Sequence, residues 1–118
     1  MSFQIDIADD ETWKKELTGS PGTVQVVEVY QGWCGPCKAI VANFKRLYFD
    51  LGDRPLKFYT ANCQKVEALK QYQGHCMPVF LFYKDNKLQQ KVEGVQAPVL
   101  ARHVEQLSAE AAKAIPVA

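Results

Sequence analysis

The sequence predicts a single α/β domain, a central mixed sheet flanked by helices in the order βαβαβαββα. Three observations carry that expectation. β-Prone segments alternate with segments of helical period through the first two thirds of the chain, the pattern of parallel strands joined by helices. Val24–Tyr30 is an almost unbroken, Val-rich apolar run, as expected for a strand covered on both faces. Two further β-prone runs, Val79–Tyr83 and Leu88–Val92, flank Asp85-Asn86, which marks a hairpin and adds an antiparallel edge.

The elements follow in order. Phe3–Ile7 alternates apolar and polar and reads as a short strand. Asp9 or Asp10 caps a helix running to about Leu17, with Trp13 and Leu17 one turn apart, and Gly19-Ser20-Pro21-Gly22 breaks it. After Val24–Tyr30, Pro36 suits a first helical turn, and Ile40, Phe44, Leu47 and Leu51 recur at helical spacing until Gly52. Leu56–Thr60 reads as a third strand. Val66, Leu69 and Tyr72 mark a short helix stopped by Gly74. Pro98–Leu107 is the closing helix, with Val99, Leu100, His103, Val104 and Leu107 on its inner stripe. Ser108–Ala118 is small and Ala-rich and is expected to fray, which places the domain at 1–112 and a flexible tail at 113–118.

With 118 residues the chain is long enough for one core without staples. Its formal net charge of +1, from 14 basic and 13 acidic residues, sets up no field that would draw it to nucleic acid or an anionic membrane, and neither is an expected partner. Met1–Asp6 lacks the basic and apolar regions of a secretory signal, and no apolar run approaches a membrane span. A cytoplasmic location is therefore expected, in which the four cysteines stay reduced.

Trp33-Cys34-Gly35-Pro36-Cys37-Lys38 joins the apolar strand to the second helix. A cysteine at a helix N-terminus meets unpaired N–H groups and the positive end of the helix dipole, both of which favour a thiolate. A second cysteine three residues on lies one turn along the same face, close enough to form a small disulfide ring. The pair reads as a dithiol redox couple or as half of a zinc site completed by Cys63 and Cys76 or His75; the strand–turn–helix context favours the first, with no metal. Glu28 is the odd residue in its apolar strand. A carboxylate there is costly unless paired or protonated, and burial would raise its pKa; the alternative is a side chain reaching solvent at the strand end. Trp33 offers a flat apolar face beside Cys34 or packs as a half-buried core residue. Lys38 either adds positive potential near Cys34 or is a solvated helix residue. Cys63 is expected to pack as a small buried hydrophobe. His75 and His103 have no evident catalytic partner.

Taken with Cys76-Met77-Pro78 before a β run and Gly94 after the hairpin, the motif makes the chain resemble the thioredoxin family over nearly its whole length. The resemblance implies the thioredoxin fold and dithiol–disulfide exchange without a cofactor. It makes Cys34 the nucleophile and Cys37 the resolving thiol that releases a reduced protein substrate. It makes Glu28, where the family usually has Asp, a proton shuttle to Cys37, and it puts a cis peptide bond before Pro78. Trp33, Gly35, Pro36, Met77, Gly94 and Val95 would line the groove that receives an extended substrate segment. Cys76 matches a surface cysteine of animal thioredoxins and would be able to form an intermolecular disulfide; it reads equally as an incidental thiol.

Several segments depart from general thioredoxins. Gln31 stands where Ala is usual, Thr60-Ala61-Asn62-Cys63 lacks a common acidic pair, and Val79 replaces a common Thr. Tyr30-Gln31-Gly32-Trp33-Cys34-Gly35-Pro36-Cys37 and Phe80-Leu81-Phe82-Tyr83 are similar to the thioredoxin-like light chains of axonemal outer-arm dynein and to thioredoxin units fused to nucleoside diphosphate kinase domains. That similarity implies a dynein heavy chain as partner and the axoneme of a cilium or flagellum as location. The broader resemblance implies a general cytosolic thioredoxin recycled by a thioredoxin reductase.

Overall fold

The computed structural model describes residues 3–31, 38–74 and 78–114. Strand β1 spans Gln4–Ile7 and is followed by helix α1 (Asp10–Thr18). Asp9 caps α1: its Oδ1 accepts the Thr12 N–H at 2.6 Å, a bond that lowers its carboxyl pKa, and Asp10 and Glu11 occupy the first turn, where the helix dipole favours negative charge. Strand β2 (Val24–Tyr30) leads to α2 (Lys38–Asp50), and β3 (Leu56–Asn62) to a short 3-10 helix (Glu67–Tyr72). The tighter helix follows from the spacing of Val66, Leu69 and Tyr72: a strict period of three aligns on a 3-10 helix and drifts on an α-helix. Strands β4 (Val79–Lys84) and β5 (Lys87–Glu93) form the hairpin. Asp85 (φ 53°) and Asn86 (φ 61°) both take the left-handed conformation that a two-residue turn requires, and a bulge shifts the register between Phe82 and Tyr83.

The sheet order is β1-β3-β2-β4-β5. Strand β3 pairs parallel with both β1 and β2, while β4 pairs antiparallel with β2 and β5. The expected mixed sheet is therefore present, and β2 is its central strand. Alternation along β2 divides the core. Val24 and Val26 pack with Ile40, Phe44 and Leu47 of α2 and with Leu100 and Val104 of the closing helix α3 (Ala97–Ala114). Val27 and Val29 pack on the other face with Trp13 and Leu17 of α1 and Leu69 and Tyr72 of the 3-10 helix. No described helix is long and apolar enough to cross a membrane.

Helix α3 corrects one expectation. It continues seven residues past Leu107, through the Ala-rich stretch expected to fray, and the expected boundary at 112 falls inside it. Alanine has the highest helix propensity, and the stretch is anchored: Ser108 and Ala111 are buried, and Arg54 Nη1 donates to Ser108 Oγ at 3.3 Å. Residues 115–118 lie outside the described residues.

Candidate functional site

Residues 32–37, which carry the cysteine pair, fall in sequence between the C-terminal end of β2 and α2. The expected site residues Trp33, Cys34, Gly35, Pro36, Cys37 and Met77 lie outside the described residues, as do His75, Cys76, the Lys38 side chain and the peptide bond entering Pro78. The structure does describe what surrounds them.

Glu28 lies in the middle of β2 with no solvent exposure. This overturns the alternative of a side chain reaching water at a strand end. By alternation it shares the sheet face of Val24 and Val26, beneath α2. Its register partners are Thr60 on β3 and Phe80 on β4, and Thr60 in turn pairs with Asp6 on β1, so Asp6, Thr60 and Glu28 form a polar row across three strands. Asp6 Oδ1 ties the row together, accepting from Thr60 Oγ1 at 2.8 Å and from Tyr30 Oη at 2.9 Å. The Tyr30 phenol is pushed up to about 12, first by burial, then by its hydrogen bond to Asp6 and the negative charges of Asp6 and Glu28.

On the other face, Gln31 leaves β2 with 6% of its surface exposed. Its Nε2 donates to the Tyr72 carbonyl at 2.8 Å, and its Oε1 accepts from the Gly74 N–H at 3.0 Å and the Cys63 thiol at 3.4 Å. Cys63 follows β3 and is buried, as expected. Losing the amide would strand the buried Tyr72 carbonyl at a cost of about 1–3 kcal/mol.

Pro78 and Gly94 are brought together by a backbone hydrogen bond, with Val95 next along the chain. The Gly94 N–H donates to the Pro78 carbonyl at 2.8 Å, Gly94 adopts φ 82°, which disfavours any side chain, and Val95 is 45% exposed beside it. His103 packs its ring against Phe82, a core contact. Among the described residues no three His, Cys, Asp or Glu side chains are grouped so as to hold a metal ion. Sequence reasoning singled out Gln31 only as a departure and missed Asp6, Thr60 and Tyr30. The available signal was a polar residue on each of three neighbouring strands at the same height.

The thioredoxin family model matches residues 4–106. The chain belongs to the thioredoxin family. Among thioredoxin-family relatives, the 14 kDa light chain of the flagellar outer-arm dynein of Chlamydomonas reinhardtii is 56% identical over 92% of this chain and 84% of its own length. Human thioredoxin domain-containing protein 6 is 40% identical over 93% of this chain, which spans only 33% of that longer relative. Solved thioredoxins share the fold. That of Nicotiana alata superposes with a TM-score of 0.74 at 23% identity, covering 91% of this chain and 94% of its own. Thioredoxin f2 of Chlamydomonas reinhardtii gives 0.71 at 27% identity, covering 87% and 94%.

Proposed function

We propose that this thioredoxin-family chain performs dithiol–disulfide exchange through Cys34 and Cys37 as a redox-active light chain of an axonemal outer-arm dynein. One observation carries the chemistry: a buried carboxylate, Glu28, lies on the α2 face of β2 six residues before a Cys-Gly-Pro-Cys sequence that opens onto α2. The Cys34 thiolate attacks one sulfur of a substrate disulfide, forming a mixed disulfide and expelling the other sulfur as a thiolate. Cys37, deprotonated with Glu28 accepting the proton, attacks the Cys34 sulfur and expels the second substrate thiolate. The substrate gains two electrons and the chain is left with a Cys34–Cys37 disulfide, which an external dithiol reductant, such as a thioredoxin reductase, must reopen. Met77, Pro78, Gly94 and Val95, with Trp33, Gly35 and Pro36, form the receiving groove. The identity to a flagellar dynein light chain supports a dynein heavy chain as the docked partner and the axoneme as the location.

Replacing Cys37 with Ser prevents resolution and should trap the partner on Cys34. Recovery of a dynein heavy chain as the dominant adduct from axonemal extract is the expected result. A broad set of cytosolic proteins would replace the motor assignment with that of a general thioredoxin. No adduct, together with an ordinary thiol pKa for Cys34 by alkylation rate against pH, would remove the redox assignment itself.

A further inference from the structure

We propose that the exposed face at the C-terminal end of α2 is a self-association surface, on which a second copy of this chain docks antiparallel about Phe49. The pairing stands or falls independently of dithiol exchange. Phe49 has 68% of its surface exposed, the most of any large apolar residue described. Its ring lies 5.6 Å from that of Tyr48, which is 37% exposed, and Tyr48 lies 5.6 Å from Phe3 and 6.3 Å from the buried Phe58. A chain of rings thus runs from the core to the surface and holds Phe49 as a fixed apolar anchor, the kind of residue that dominates protein interfaces. Lys45 and Arg46 lie one turn before Phe49 on α2, and all three are exposed. Ala42, a further turn back and also exposed, leaves room for another helix to approach.

Charge identifies the occupant. Two bases, Lys45 and Arg46, stand before Phe49, and two acids, Asp50 and Asp53, stand after it. All four are exposed, and among the described residues none is in an ion pair; the pairs present are Lys70–Glu67 and Lys91–Glu93. The neighbouring bases are engaged elsewhere: Arg54 Nη1 donates to the Glu105 carbonyl and Ser108 Oγ, and Lys57 Nζ to Ser20 Oγ at 2.8 Å. A wholly acidic or wholly basic partner would meet like charge on one side of Phe49. A surface with bases on one side of an apolar centre and acids on the other is complementary to itself after a half-turn, as a two-fold interface requires. With the two Phe49 rings at the axis, Lys45 of one copy, four residues before the centre, faces Asp53 of the other, four residues after it. Arg46 meets the same acidic side. The half-turn also brings the two exposed rings together and removes both from water. An isologous contact of this kind closes at two copies.

The test is the mass of the full chain by analytical ultracentrifugation against concentration, with a thiol reductant present so that no disulfide contributes. The mass should rise from one chain toward two and stop there, and added salt should weaken the association several-fold. Phe49→Ser should weaken it at least about thirtyfold. Lys45→Glu with Arg46→Glu, and Asp50→Lys with Asp53→Lys, should each leave the chain single when alone, and mixing the two variants should restore the pair. Each substituted position is exposed, so every variant should keep a urea midpoint close to wild type and loss of pairing is not loss of fold. A wild-type chain that stays single at about 1 mM overturns the proposal and leaves Phe49 to a partner of different sequence. A dimer that Phe49→Ser leaves intact overturns it as well, as does a mixture of the two charge variants that stays apart.

Discussion

The two faces of the sheet treat buried polarity on β2 differently. On the face of α1 and the 3-10 helix, the polar side chains are amides anchored to backbone carbonyls: Gln25 donates to Glu16 at 2.6 Å and Gln31 to Tyr72 at 2.8 Å. On the face of α2 and α3, the buried polar side chain is the carboxylate of Glu28, flanked by the Asp6, Thr60 and Tyr30 cluster. An amide buried with partners fixes geometry and cannot change charge. A carboxylate can do so, and it lies under the helix onto which the cysteine pair opens. One face ties its buried polar side chains to backbone carbonyls, and the other holds the carboxylate to which we assign the proton path.

The largest expected effect tests whether the α2 face is also the stronger half of the core. Phe44 packs its ring 5.1 Å from Phe58 and 5.6 Å from Phe80. Phe44→Ala should cost about 3–5 kcal/mol in urea unfolding, against about 2 kcal/mol for Leu17→Ala on the opposite face. Equal losses would erase that part of the contrast. Next in size is Glu28→Gln, which keeps shape and removes the titrating group. Decay of the mixed disulfide, followed by rapid quench, should slow by about 10²-fold while its formation is unaffected. A decay rate equal to wild type would remove Glu28 from the proton path.

The smallest effect separates the faces by titration. Tyr30 and Tyr59 are both pushed from 10 up to about 12, Tyr30 with help from Asp6 and Glu28, Tyr59 by burial and by Glu16. The unfolded chain loses these protons near pH 10 while the folded chain keeps them, so their contribution to stability is complete below pH 10 and declines as pH rises toward 12. Ultraviolet titration of Glu28→Gln should show Tyr30 ionising at lower pH and Tyr59 unmoved. A shared shift would mean that the two faces communicate.

Much of this was legible in the sequence because it depends on local pattern. The Val-rich run marked β2 as central and Asp85-Asn86 marked the hairpin, while the strand–Cys-x-x-Cys–helix order is the sequence pattern behind the proposed chemistry. Glu28 stood out as a charge in an apolar run, yet only the neighbouring strands and α2 determine that it is buried rather than turned to water. Gln31 was visible as a departure without a role, since its partners lie 41 and 43 residues away. The extension of α3 was misread because low hydrophobicity was weighed above alanine's helix propensity, and a buried Ser108 leaves no apolar stripe to count.

The outer strands of the sheet have a consequence for the protein's behaviour when crowded. An unpaired strand edge is a template on which further copies can polymerise. At one margin β1 has only four residues. At the other, β5 bears exposed Lys87 and Lys91 and a bulge that breaks its regular spacing. A second copy approaching either margin finds too few backbone groups or two hydrated lysines beside a bulge, so the chain can be held at high concentration with little tendency to grow into fibrils.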